Sequence, residues 1–235
     1  MKPLALSFAL VTLGCSCKTD NNAFPPIDID NGSCGDQLRF TGEVVNWDSN
    51  DTTFCGVFNA TFQVQPDGAM DSTAPNGRFD LCIPKAAATT SVLVTPAANS
   101  SMCSGSVFSH PEMVIANREV IEAGGDFSTR LFTDERQVTF YAQIGAAYDP
   151  AKAQLLVHDF GALRALKITA AHDATQAYST TAAAWAAGDT GYYVFFPNVD
   201  PSAGMTKLTA TGGAAGTGDV PLAAGQMTSI SIYGR

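Results

Sequence analysis

Charge is scarce in this chain. Asp, Glu, Lys and Arg make up 15% of its 235 residues, against about 25% in an ordinary soluble domain. Positive charge is scarcer still: 13 Lys and Arg stand against 22 Asp and Glu, a formal net charge of −9. Nucleic acid is held by a basic face, so it is excluded as a partner. No two cysteines are spaced as Cys-x-x-Cys, and none lies beyond position 103. That spacing excludes the common structural zinc sites. The Gly-x-Ser-x-Gly spacing of a nucleophile elbow is missing, and with it that route to acyl transfer. The apolar run at residues 4–13 is ten residues long, half of the about 20 needed to span a bilayer. No cofactor or metal is expected.

What is present points to β-structure. Apolar residues reach 46%, enough for a sizeable core, with 21 Gly and 12 Pro. Short alternating runs recur at 37–47, 57–64, 78–83, 91–95, 127–133, 137–142, 154–158, 166–169, 192–196, 205–209 and 229–233. In the 78–83 run Phe79, Leu81 and Ile83 point one way. Turn residues separate the runs, as in Pro66-Asp67-Gly68 and Gly212-Gly213, the pattern of sandwiches. Helix is scarce. Residues 117–123 are the best candidate, with Asn117 as cap, Glu119 in the first turn and Gly124-Gly125 at the end. Asp149-Pro150 reads as a capped single turn.

The N-terminus reads as an address. Lys2 is a short basic region, residues 4–13 are its apolar core, and Gly14-Cys15 follows. This segment resembles the lipobox of bacterial lipoproteins. The resemblance implies that Cys15 is acylated and residues 1–14 are removed. It further implies an outer-membrane or surface location, because Ser16 stands where an Asp would retain the protein at the inner membrane. Residues 15–33 are polar and broken by Pro25-Pro26, which reads as a tether. An acidic chain would not adhere to an anionic membrane by charge, so the acyl anchor would supply the contact.

Gly42-Glu-Val, Gly56-Val-Phe-Asn-Ala and Asp71-Ser-Thr-Ala-Pro-Asn-Gly77-Arg-Phe-Asp-Leu81 together resemble the carboxypeptidase-regulatory, transthyretin-like sandwich family over residues 38–96. A weak repeat at Asp189-Thr-Gly191-Tyr-Tyr193 through Pro197 is similar to the same family. The resemblance implies an all-β fold of two tandem immunoglobulin/transthyretin-like β-sandwiches, at 34–135 and 136–235. It implies positive φ or a tight hairpin at Gly77 and Gly191, Phe79 and Tyr193 in the core, and a non-catalytic module. The segment 107–133 is not part of that pattern.

Six cysteines are present. If Cys15 is acylated, Cys17 is the spare in the tether, and Cys34, Cys55, Cys82 and Cys103 allow three pairings. Export favours disulfides. Cys82 faces away from the core set of its strand and Cys55 opens another, so 55–82 with 34–103 is the favoured pairing.

Chemistry-bearing residues are few. His158-Asp159 and His172-Asp173 are paired in sequence, but neighbours on a strand point to opposite faces, so neither Asp orients the adjoining ring. His158, His172 and Asp173, with Ser104 or Ser106 as nucleophile, would be the site of a hydrolase; no catalytic residue is expected. Asp28-x-Asp30-x-Gly32 and Asp48-Ser-Asn50-Asp51 gather oxygen ligands. The first lacks the third ligand and the Glu of a calcium loop, and the second reads as a solvated turn. Trp185 lies in an alanine-rich, loop-like run close to Tyr178, Tyr192 and Tyr193. Exposed, these rings would form a sugar platform; buried, Trp185 is a core plug. The expected function is a non-enzymatic, surface-anchored lipoprotein of the bacterial envelope, acting in adhesion, envelope structure or ligand display. Its partners would be the membrane and a glycan or another envelope protein. The alternative is a carbohydrate-binding module using Trp185, Tyr178 and Tyr192.

Overall fold

The computed structural model describes residues 34–49, 54–66, 68, 70–97, 100–103, 106–108, 110–123, 127–160 and 163–234. Cys15, Cys17, the leader, the tether, Asp28, Asp30, Asn50, Asp51, Ser104 and Gly124-Gly125 lie outside them. The first part of the chain supplies β1 (Leu38–Asn46), β2 (Thr61–Val64), β3 (Met70–Ser72), β4 (Arg78–Ile83), β5 (Thr89–Thr95), β6 (Glu112–Asn117), α1 (Arg118–Glu122) and β7 (Phe127–Leu131). The remainder supplies α2 (Asp134–Gln143), β8 (Ala153–Phe160), β9 (Leu166–Ile168), β10 (Gln176–Ser179), β11 (Ala184–Ala187), β12 (Tyr193–Val199), β13 (Met205–Ala210), β14 (Gly218–Pro221) and β15 (Met227–Tyr233).

These form an all-β sandwich. A nine-stranded sheet runs β11-β10-β12-β8-β15-β6-β5-β2-β3, flanked by two three-stranded sheets, β4-β1-β7 and β14-β13-β9. Each strand of the long sheet sends alternate residues to opposite faces. β12 directs Val194 and Phe196 to one core and Tyr193 and Phe195 to another. One face of the long sheet carries a first core, where Phe40, Val44, Phe79, Leu81 and Phe127 of the β4-β1-β7 sheet meet Phe62, Val92, Val94 and Val114. The same face carries an aromatic core closed by Trp47 and by Phe140 and Tyr141 of α2. The opposite face packs Leu155, Val157, Ile230 and Ile232 against Leu166, Leu208 and Val220 of the β14-β13-β9 sheet.

Cys34–Arg235 is one compact unit. β15, from the C-terminal end, lies parallel between β6 and β8. The long sheet therefore crosses position 135/136, while the first core draws only on residues 40–131.

Gly77 has φ +79°, and a Cβ there would meet the Val44 carbonyl oxygen at 2.5 Å. Glycine alone fits that turn. Gly191 does not use the left-handed region; a Cβ would meet the Tyr178 carbonyl oxygen at 2.8 Å, so close approach is what it supplies. Phe79 and Tyr193 are buried, as the resemblance implied.

Two expectations are corrected. The run 137–142 is helix α2, not a strand. Thr133 Oγ1 accepts from the Arg136 N–H at 3.1 Å, and Asp134 and Glu135 occupy the first turn, where acids favour a helix. Helical spacing leaves Val138 71% exposed while Phe140 is buried. The cysteines pair as Cys34–Cys82 and Cys55–Cys103. β1 runs antiparallel to β4 with Arg39 beside Cys82, and a turn in which Gln37 N–H donates to the Cys34 carbonyl precedes β1 at the Cys34 end of that pair. Val57 bridges Ser101, and Met102 N–H donates to the Gly56 carbonyl, which sets Cys103 beside Cys55. The caps of α1 are as read: Asn117 Oδ1 accepts from Glu119 N–H at 3.0 Å.

Candidate functional site

Between the first core and the aromatic core, the long sheet meets β7 through polar side chains. β7 is the edge of its own sheet and lies parallel to β1. Thr129 Oγ1 lies 3.1 Å from Glu112 Oε2 and 3.0 Å from Ser229 Oγ. Burial pushes the Glu112 carboxyl up to about 8, against the opposing pull of the two hydroxyls. Desolvation penalises the charged form, so this carboxyl is protonated at neutral pH.

Arg130 is buried on the same strand. Its Nη1 donates to the carbonyls of Trp47, at 2.8 Å, and Ser49. Its guanidinium lies 4.1 Å from the centre of the Tyr193 ring and 5.3 Å from that of Tyr178. Planar, weakly hydrated guanidinium suits such a place better than an ammonium. Tyr193 Oη donates to Ser128 Oγ at 2.9 Å, and Ser128 Oγ donates to Glu43 Oε1 at 3.1 Å. These contacts form a seam that ties β7 to β6, β15 and β12.

His158 lies in this seam, next to Ser231 in the parallel register of β8 and β15. Its ring stacks on Tyr193, with Tyr192 edge-on at 4.6 Å. Both ring nitrogens are buried without a hydrogen-bond partner. Burial, aided by the Arg130 charge, pushes the imidazole down to about 3. Such a ring is neutral at physiological pH and has no proton relay. Asp159 points to the other face and accepts the Arg164 N–H at 2.7 Å. His172 is exposed, its ring edge-on to Phe196, and Asp173 Oδ2 accepts from Asn198. Phe196 and Tyr193 belong to opposite faces of the sheet, so the two histidines do not share a site. Ser106 Oγ is buried, accepting from Asn46 and donating to the Cys103 carbonyl.

The sugar platform is corrected in its geometry. Trp185 is a residue of β11, 8% exposed, and its ring stacks on Trp47 at 4.7 Å and 10°. Phe132 stacks on Trp47 as well, at 3.9 Å. Tyr178 is buried beside Trp185, and Tyr192 is half-buried against His158. The alanine run that looked like loop is an edge strand, which turns Trp185 inward.

Among the described residues, no three His, Cys, Asp or Glu side chains gather to hold a metal ion. Asp48 is ion-paired with Arg136 at 2.6 Å. Away from the seam, a groove of about 410 Å³ is lined by Arg118, Glu119, Glu122, Thr217 and Asp219. An Arg118–Glu122 pair at 2.9 Å already joins two of its charges.

Sequence reasoning missed Glu112, Arg130 and Ser229. A lone Arg between Phe127 and Leu131 of a short strand was the available signal. Its partners are remote in the chain, with Trp47 83 residues before it.

Fold and seam together define an all-β sandwich protein stapled by two disulfides. No protein-family model matches the chain, and no curated protein does. Among solved structures it is similar to the Bacillus anthracis TIE protein, at 10% identity and a TM-score of 0.25. The likeness covers 84% of this chain and 34% of that one, so this chain spans about a third of that protein's length.

Proposed function

We propose that the chain is a lipid-anchored, non-enzymatic protein of the bacterial cell envelope, whose sandwich serves in adhesion, envelope structure or ligand display. The observation that carries this reading is the use made of its reactive groups. Glu112, Arg130 and His158 are all buried in the contact between two sheets, and each is held there by hydroxyls, carbonyls or rings. Groups fixed in this way are built into the contact between sheets and are withheld from a substrate. The basic Lys2, the apolar residues 4–13 and Gly14-Cys15 support the anchor. The Gly77 turn and the buried Phe79 and Tyr193 support a kinship with carboxypeptidase-regulatory, transthyretin-like domains. A stapled sandwich at the end of an acylated tether suits display outside the cell.

The carbohydrate reading is the weaker one, because Trp185 and Tyr178 are buried and offer no open ring face. The test is metabolic labelling with a palmitate analogue in a bacterial host. The chain incorporates label, and Cys15→Ser abolishes it; label retained by Cys15→Ser overturns the proposal.

A further inference from the structure

The two edges of the long sheet differ. At one end β3 is three residues long, fully exposed, and carries Asp71. A short, charged edge is protected against further pairing. At the other end β11 reads Ala-Trp-Ala-Ala, with neither charge nor proline. It sits in a stretch, residues 174–188, that contains no charged residue at all, although the chain carries −9.

The register of β11 fixes which of its backbone groups are unpaired. Gly188 N–H donates to the Thr175 carbonyl, and the pairs that follow are Ala187 with Gln176, Ala186 with Ala177, Trp185 with Tyr178 and Ala184 with Ser179. Antiparallel ladders alternate between hydrogen-bonded and non-hydrogen-bonded pairs. Ala186 and Ala184 therefore bond to β10, while the N–H and C=O of Trp185 and Ala187 point away from the sheet. The Tyr178 carbonyl agrees, since it accepts from Tyr192 on the opposite side.

We propose that β11 pairs antiparallel with β11 of a second copy, about a two-fold axis at Ala186, so that the long sheet continues from one molecule into the next. The outward groups are self-complementary about that axis. Trp185 meets Ala187 of the other copy and Ala187 meets its Trp185, which satisfies four N–H and four C=O groups in four hydrogen bonds. Ala186 faces its own counterpart in a non-hydrogen-bonded pair, where strands approach most closely and a methyl group fits. A second copy is favoured over an unrelated strand for two reasons. A symmetric interface needs one patch complementary to itself, and two acidic molecules repel least where neither presents charge.

The test is symmetric disulfide trapping in the full chain carrying Cys15→Ser and Cys17→Ser. At the axis, Cα atoms about 4.5 Å apart lie within disulfide reach. Ala186→Cys yields a reductant-sensitive species of twice the chain mass under mild oxidation. Ala184→Cys, on the same face but opposite Gly188 of the other copy, yields at least about tenfold less, because strand residues advance about 3.4 Å each. Adding Ala187→Pro to Ala186→Cys removes an outward N–H and lowers trapping to the Ala184→Cys level. No trapping at position 186, or equal trapping at 184 and 186, overturns the proposal without reference to the proline variant. Trapping that persists undiminished with Ala187→Pro, in a protein whose circular dichroism is unchanged, overturns it as well.

Discussion

The imidazole of His158 lies against the phenol ring of Tyr193, centroids 4.8 Å apart and planes 23° apart, while the Arg130 guanidinium lies 4.1 Å from that same phenol ring. A cation that close leaves no room for a second. The folded protein keeps His158 neutral down to about pH 3, whereas its ordinary value is 6.5. The unfolded chain thus binds a proton first as pH falls. Stability from this residue is present above pH 6.5 and is lost between 6.5 and 3, by about 1.4 kcal/mol per pH unit. Between pH 6.5 and 4.5 the buried Glu112 changes stability in the opposite sense, so the decline is read as the difference between wild type and His158→Phe in urea unfolding at pH 7, 5 and 4. His158→Phe gains on the wild type by that slope as pH falls. An unchanged pH profile in His158→Phe refutes the assignment.

Glu112 behaves in the opposite sense. Its carboxyl ionises at 4.5 when unfolded and near 8 when folded, so between those values the unfolded chain has lost a proton that the native one keeps. Stability falls as pH rises across that window, again by about 1.4 kcal/mol per unit. Glu112→Gln keeps an amide beside Thr129 and Ser229 and has no such charge to bury. Its midpoint in urea exceeds that of the wild type at pH 7.5 and approaches it at pH 4.5. A variant less stable than wild type at both pH values contradicts the buried neutral acid.

How much of this was legible in sequence depends on how each strand is covered. β4 and β5 are exposed on one face and alternate, so Phe79, Leu81 and Ile83 could be read directly. β6 is packed on both faces: Val114, Ile115 and Ala116 are buried in succession behind a buried Glu112, and no period of two remains. β10 and β11 are made of Gln, Ala, Ser and Tyr around one Trp, residues of weak strand preference for the most part. The seam was illegible for a different reason. Arg130 and Glu112 look like surface charges until long-range pairing brings Ser229 of β15 to Glu112 and the Trp47 and Ser49 carbonyls to Arg130.

The disulfides allow a comparison free of loop length. Cys34–Cys82 and Cys55–Cys103 each span 48 residues. Loop-closure entropy assigns each about 4 kcal/mol. Peptide mapping without reduction recovers the two pairs in these partnerships. The double variants Cys34→Ala/Cys82→Ala and Cys55→Ala/Cys103→Ala lose similar amounts of stability. A loss several-fold larger in one shows that native packing, not the unfolded chain, sets the value.

Trp47 and Trp185 are the chain's two tryptophans, and their rings are stacked and buried. Indole removed from water emits to the blue and is shielded from ionic quenchers. Native fluorescence is therefore blue-shifted and little affected by iodide, and both properties revert on unfolding. Trp185→Ala opens a cavity in the aromatic core between Trp47, Phe140 and Tyr178 and costs about 3–5 kcal/mol. Strong iodide quenching of the native protein, or a Trp185→Ala variant as stable as wild type, places that ring at the surface and returns the sugar-binding reading to the front.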